Sequence, residues 1–327
     1  MKKSQIIDCL KSKKTQQLFE LADKTRKKHC GNEVHLRGII EFSNYCERDC
    51  VYCGLCKSNR KLYRYRLNID EIFHVAKRAE ELQCKTIVLQ SGEDKYYKIN
   101  DLCALIRKIK KEVDCAITLS IGERTYEEYK QLKEAGTDRY LLKFETSDEG
   151  LYRQLKPDSS YTQRLICLRW LKELGYQVGS GNMVGLPGQT LDILAGDILL
   201  MKELELDMIG IGPFISHPDT LLKHVKGGTL EMVLKTVALA RIVTRDTHIP
   251  ATTAVGTVDP LGRQKALQCG ANVIMPNLSP QKNREYYQIY PNKICINDQP
   301  GDCRVCIGTM VKSLGRTISG DYGHSLR

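Results

Sequence analysis

The chain has 327 residues, 42% of them hydrophobic, with 50 Lys or Arg against 39 Asp or Glu and a formal charge of +11. That is material for a full core, and no nucleic-acid motif accompanies the charge: basic runs such as Arg107, Lys108, Lys110 and Lys111 read as solvated helix faces. No apolar run follows the charged opening Met1-Lys2-Lys3-Ser4 that could serve as a signal peptide or membrane span, so a cytoplasmic protein is expected, and its 14 cysteines read as reduced thiols, some of them metal ligands, rather than a disulfide framework.

Apolar spacing predicts two helices between residues 4 and 30, within an N-terminal extension, 1–33. From Val34 onward strand-like and helical runs alternate. Strands are expected at 34–42, 86–91, 116–121, 139–146, 177–184, 208–215, 249–255 and 272–277, and helices at 69–83, 100–112, 125–135, 160–174, 190–204, 229–245 and 260–269. Eight strands separated by helices predict a complete parallel (β/α)8 barrel over 34–280, of the α/β class, followed by a C-terminal segment, 281–327, with a cysteine loop. Gly136, Gly175 and Gly270 each stand where a helix should stop before the next strand. In such a barrel the active site lies at the mouth formed by the strand C-terminal ends. Polar residues recur there: Ser91-Gly92-Glu93-Asp94, Ser120, Glu145-Thr146, Asn182-Met183, Thr252-Thr253 and Asn277.

The loop after the first strand reads Cys46-Glu47-Arg48-Asp49-Cys50-Val51-Tyr52-Cys53. Three thiolates at these spacings can hold three irons of a four-iron cluster and leave the fourth without a protein ligand. Structural zinc usually takes four ligands in two pairs, which this spacing does not supply. Cys50, Cys53 and Cys56 also form Cys-x2-Cys-x2-Cys, which would make Cys56 the fourth ligand of a closed, electron-transfer cluster. The loop alone leaves these readings open.

The Cys-x3-Cys-x-aromatic-Cys pattern resembles the signature of the radical S-adenosylmethionine (SAM) enzymes. The runs Arg37–Cys46, Ile87–Asp94, Met183–Thr190, Ile209–Ile215, Pro250–Thr253 and Ala271–Asn277 are similar to the HydE maturases of [FeFe]-hydrogenases, over roughly residues 34–320; biotin synthase and methylornithine synthase are cousins. The resemblance implies a [4Fe-4S] cluster on Cys46, Cys50 and Cys53, with SAM held by Gly92, Glu93, Ser120, Glu145, Arg164 and Met183. Charge logic agrees at two of these: a carboxylate ending the run Tyr140–Phe144 needs a partner, and a guanidinium meets a carboxylate bidentately. It also implies an anion or substrate carboxylate among Arg139, Thr252 and Thr253, lined further by Gln90, Met208, Tyr287 and Tyr290. Cys295-x7-Cys303-x2-Cys306, around the polar stretch Asn297–Asp302, resembles the ligand loop of an accessory [2Fe-2S] or [4Fe-4S] cluster. Lys143-Phe144 departs from the Arg-His that often precedes the family's glutamate.

The implied activity is reductive cleavage of SAM to a 5′-deoxyadenosyl radical, acting on a sulfur-containing substrate, a cysteine-bound iron carbonyl cyanide unit, in assembly of the hydrogenase H-cluster. The implied partners are that organometallic substrate, an electron donor, a tyrosine-lyase radical SAM maturase and a GTPase scaffold, with neither nucleic acid nor membrane. The rival readings are a biotin synthase-like or methylornithine synthase-like radical enzyme, a non-catalytic iron–sulfur carrier, and a zinc-stabilised barrel. Cys9, Cys30, Cys84, Cys103, Cys115, Cys167 and Cys269 read as buried small hydrophobes.

Overall fold

The computed structural model describes residues 1–298 and 300–327. Its longest strand, β1 (Glu33–Ser43), is buried along almost its whole length and pairs in parallel with β2 (Thr86–Ser91). The ladder runs on through β3 (Ala116–Ser120), β4 (Arg139–Leu141) and β5 (Gln177–Ser180). β6 (Met183–Val184) leaves it, β7 (Met208–Ile209) continues it beside β5, and β8 (Gly212–Pro213) pairs with β6. Single parallel bridges, Met208 to His248 and Pro250 to Val273, carry the ladder to β9 (Val273–Ile274), which pairs with β1 at His35 and Leu36. The barrel therefore closes as the eightfold alternation predicts, with its seventh stave reduced to bridges.

Side-chain caps set where the outer helices begin. Asn68, Thr125, Ser160, Thr190 and Thr229 each accept the backbone N–H three residues on, which contributes about 1 kcal/mol per helix. Gly136, Gly175 and Gly270 end their helices with φ of +112°, +77° and +107°. The N-terminal helices Lys3–Lys11 and Gln16–Cys30 pack on the helices Leu191–Glu203 and Leu230–Thr244, burying Ile6, Leu10 and Ala22. Among the described residues no helix is long and apolar enough to cross a membrane.

Several strands stop sooner than expected, and the causes lie at the mouth. Glu145 has a left-handed φ of +66°, and Gly181, at +150°, lies so near the next strand that a Cβ would stand 2.1 Å from the Gly210 carbonyl oxygen. The run expected as strand 249–255 turns into the helix Thr253–Val258, capped by the Thr252 hydroxyl on Val255 N–H. A helix absent from the sequence reading, Glu149–Leu155, starts on an Asp148 cap at 2.7 Å. The C-terminal cysteine loop is also corrected: Cys303 and Cys306 lie on the helix Pro300–Ser313, where proline at the first helical position suits the helix start. Of the polar stretch before it, Gln299 lies outside the described residues. Of the seven cysteines read as buried, Cys9 and Cys30 are half-exposed.

The opposite end of the barrel is closed by the chain's own C-terminus. β10 (Thr317–Ile318) pairs with the start of β1, and the tail then crosses the floor. Arg37 donates to the Gly323 carbonyl at 3.0 Å, and His248 Nε2 meets the His324 carbonyl at 3.0 Å. Arg139, expected near a substrate, belongs to this floor instead: it donates to Tyr322 O at 2.6 Å, Thr86 Oγ1 at 3.0 Å and Gln177 Oε1 at 3.0 Å. It sits at the first residue of β4, the end remote from the mouth, where burial lowers its pKa to about 10.

Candidate active site

A cavity of about 370 Å3 opens at the strand C-terminal ends, and Cys46, Cys50 and Cys53 all line it. The loop that carries them is anchored on every side. Asn44 Nδ2 donates to the carbonyls of Tyr63 at 2.8 Å and Tyr286 at 2.7 Å. Arg66 lies over the ring of Tyr45 at 3.6 Å and of Tyr96 at 4.4 Å, and grips the buried Asp94 through both oxygens at 2.7 and 3.0 Å. Backbone bonds from Glu47 to Glu93, Val51 to Leu155 and Gly54 to Ile289, all 3.0 Å, complete the frame. Burial pushes the Cys50 thiol up to about 11 and raises Cys46 and Cys53. A bound metal reverses that preference, because its charge stabilises the thiolate. Cys56 is buried outside the cavity, with its sulfur 3.6 Å from Ser58 Oγ.

Next to the thiols stands a network of alternating charge. Arg48 bridges Glu93 at 2.7 Å and Glu123 at 3.0 Å, and the buried Arg164 meets Glu123 at 2.9 Å and Glu93 at 3.6 Å. Burial alone would raise the Glu93 carboxyl, but Arg164, Lys156 and Arg48 outweigh it and hold Glu93 below the usual carboxylate range. Arg164 Nη2 finds no hydrogen-bond acceptor, and Glu145 Oε2 is met only by the Lys143 ammonium at 3.1 Å, outside hydrogen-bond geometry. A donor and an acceptor are thus left over in one cavity, which Gly92, Ser120 and Met183 also line. Arg48, within the cysteine spacer, and Glu123, after the end of β3, join Lys143 and Lys156 here, and none of the four stands among the SAM residues that the resemblance implies.

Deeper in the barrel the same cavity is lined by Gln90, Thr252, Thr253, Tyr287 and Tyr290. Gln90 Nε2 donates to the Tyr287 hydroxyl at 3.1 Å. An ion pair between Glu41 on β1 and Lys293 pins the C-terminal segment over this end, and Asn277 Nδ2 satisfies the second Glu41 oxygen at 2.8 Å. A carboxylate set directly among Ile39, Ile40 and Phe42 is the sequence signal for that pair. Cys295 and Cys303 also reach the cavity, whereas Cys306 is exposed one helical turn beyond Cys303. The Cys303 thiol donates to Cys295 and lowers its pKa, and Arg263 Nη2 stands 3.7 Å from the Cys295 sulfur.

Residues 40–198 match the Radical SAM superfamily. Over 306 residues the chain is 52% identical to the [FeFe] hydrogenase maturase subunit HydE of Thermotoga maritima, covering 94% of this chain and 88% of that protein. The chain belongs to the HydE family of radical SAM enzymes. Its barrel superposes on methylornithine synthase with a TM-score of 0.86 at 24% identity, covering 97% of this chain and 94% of that one. On the hydrogenase maturase HydG of Carboxydothermus hydrogenoformans the TM-score is 0.81 at 23% identity, covering 98% and 76%. At these identities the two solved structures speak for the fold. Membership of the HydE family brings a [4Fe-4S] cluster and SAM as cofactors, and the residues present fit them. Among the described residues no three His, Cys, Asp or Glu side chains converge on a single metal ion, but an iron–sulfur core holds its thiolates apart, as three cysteines spread along one cavity wall would be. The unmatched Arg164 donor and Glu145 acceptor suit a ligand that carries both a carboxylate and an ammonium.

Proposed function

We propose that this radical SAM enzyme serves in assembly of the two-iron subcluster of the [FeFe]-hydrogenase H-cluster, acting on a sulfur-containing substrate, a cysteine-bound iron carbonyl cyanide unit. The observation that carries the reading is the 52% identity to HydE along 94% of the chain. When bound, the [4Fe-4S] cluster and SAM supply an electron and a 5′-deoxyadenosyl radical. The chain's residues hold and orient. Cys46, Cys50 and Cys53 bind three irons, and Gly92 lets the end of β2 approach the SAM ammonium. Arg164 Nη2 donates to the SAM carboxylate, while Glu145 accepts from its ammonium or ribose hydroxyls. Glu93, Ser120 and Met183 complete the SAM wall. Thr252 and Thr253, with Gln90, Tyr287 and Tyr290, line the substrate's end of the cavity, and the apolar lining keeps water from a reactive radical.

Cys295, Cys303 and Cys306 hold an accessory iron–sulfur cluster in this reading, supported by the Cys295–Cys303 contact. Cys306, exposed one helical turn beyond Cys303, is the third ligand in this reading. The enzyme works in the cytoplasm beside a tyrosine-lyase radical SAM maturase and a GTPase scaffold. The test is anaerobic. Reconstituted enzyme is supplied with dithionite and SAM and assayed for 5′-deoxyadenosine, with Cys50→Ala as control, and is then added to an extract that holds apo-hydrogenase and the other two maturases. Hydrogen evolution that depends on this chain supports the assignment. Cleavage of SAM without hydrogenase activation, and with rearrangement of lysine to methylornithine, would move the enzyme to the other branch.

A further inference from the structure

The surface behind the cysteine loop carries charge that the reaction above does not use. Residues 56–66 hold Lys57, Arg60, Lys61, Arg64 and Arg66 and no acid. They leave the cysteine loop directly: Cys56 N–H donates to the Cys53 carbonyl at 3.0 Å and Lys57 N–H to the Arg48 carbonyl at 2.9 Å. Arg64 turns inward to the carbonyls of Leu55 and Cys56, and Arg66 to Asp94, leaving Lys57, Arg60 and Lys61 exposed.

A second loop, residues 217–226, meets this segment through Lys61 and Asp219 at 2.8 Å. Its Leu222 and Val225 pack in the apolar cluster that contains Cys50 and Cys53. Its His217 ring lies so close beneath Gly54 that a Cβ there would stand 2.6 Å from it. The outward side of the same loop presents Lys223, His224 and Lys226. On this surface Leu221 is 83% and Tyr63 65% exposed. Among the described residues Lys57, Arg60, Lys223 and Lys226 take part in no ion pair. Exposed apolar side chains and unpaired cations thus share two adjoining loops whose underside is the packing around Cys50 and Cys53.

We propose that these two loops are the docking surface for a small acidic one-electron carrier protein, which reduces the cluster from this side. The inference rests on the cluster standing at Cys46, Cys50 and Cys53. In each transfer the carrier loses one electron and the cluster gains it, with no bond or proton exchanged. Unpaired cations raise the encounter rate of an acidic partner by tenfold or more at low salt, an effect that added salt abolishes.

The test compares two reductants on anaerobic, reconstituted enzyme by stopped-flow: a reduced acidic bacterial ferredoxin and dithionite. In a Lys57→Glu/Arg60→Glu/Lys223→Glu variant, ferredoxin-driven reduction slows at least about tenfold and loses its salt dependence. The Kd of oxidised ferredoxin, read by titration, rises in step, while dithionite-driven reduction and 5′-deoxyadenosine formation stay at the wild-type level. Unchanged ferredoxin kinetics would overturn the proposal, and so would equal slowing with both donors. Wild-type enzyme reduced by both donors, yet inactive toward SAM, would count against the proposed reaction and leave the docking surface standing.

Discussion

Gly92 touches the first cysteine: a Cβ added to it would lie 2.2 Å from the Tyr45 carbonyl oxygen and 2.7 Å from the Cys46 Cβ. The end of β2 therefore fixes where Cys46 can stand, and no side chain fits between them. Gly92→Ala must push Cys46 and Tyr45 away, and displacement of a reacting centre by about 1 Å costs on the order of 100-fold in rate. The expected outcome is a protein that folds, with helix content unchanged by circular dichroism, but whose SAM cleavage falls by about that factor and whose cluster EPR signal with SAM is altered. Wild-type turnover would show that the loop has room to yield.

Arg164 is expected to split into two measurable roles. Its Nε faces Glu123 at 2.9 Å, while Nη2 stands 3.6 Å from Glu93 and has no hydrogen-bond acceptor. Tyr152, Glu123 and Glu93 keep it charged in spite of burial. Arg164→Gln removes a charge-assisted hydrogen bond to a carboxylate, about 1.5–3 kcal/mol, so the Kd for SAM should rise about 10- to 100-fold. It also takes away one of the two arginines that pair with Glu123 and Glu93, leaving Arg48 alone, so the melting temperature of the protein without SAM should fall. A Glu123→Gln variant should share the lower melting temperature and keep most of the SAM affinity. Equal losses of affinity in both variants would mean that Arg164 acts on SAM only through the network.

Cys56 separates an open cluster from a closed one. It is 6% exposed, outside the cavity that the other three thiols share. Cys56→Ala should keep four irons per chain and full SAM cleavage, with only a small packing loss, whereas Cys50→Ala should lose both iron and activity. Loss of the cluster in Cys56→Ala would revive the electron-carrier reading.

The barrel and its mouth were legible because both rest on local signals. Apolar runs of strand length alternate with capped helices, and the three thiols lie within eight residues of sequence. What stayed hidden depends on contacts far apart in the chain. Arg139 is a substrate residue only by what the resemblance implies, yet it begins a strand that starts at the floor, where the tail carbonyl of Tyr322, 183 residues later, receives it. Arg48 and Glu123 become a pair only when β1 and β3 deliver their loops to one side. Thr252 looks like strand because β-branched residues favour strands, but its hydroxyl caps a helix. The sequence stretch around Cys295 suggested a loop for all three accessory thiols, and the helix that carries two of them begins at the proline within it.

The floor gives the stability of the enzyme a pH dependence of known sign. His248 is almost fully buried, its ring edge-on to His35 with centroids 4.8 Å apart. Asn272 Nδ2 lies 3.0 Å from its Nδ1 and the His324 carbonyl 3.0 Å from its Nε2, an arrangement that suits the neutral ring with the proton on Nε2. Burial first, then Arg37 and His35, hold its pKa well below the ordinary 6.5. Below pH 6.5 the unfolded chain binds a proton here that the native chain refuses, so stability is present above that pH and is lost as pH falls toward the folded value. The slope from this one group is at most about 1.4 kcal/mol per pH unit. His35, also lowered by burial, adds in the same direction. Urea unfolding of the metal-free protein at pH 7.5, 6.5 and 5.5 should show the decline, and His248→Asn should be less stable at pH 7.5 but fall less steeply. Limited proteolysis should cut the tail after Ile318 first as the pH drops, because the carbonyl of His324 is what the ring holds. Parallel slopes in the two proteins would place the acid sensitivity elsewhere, in the carboxylates.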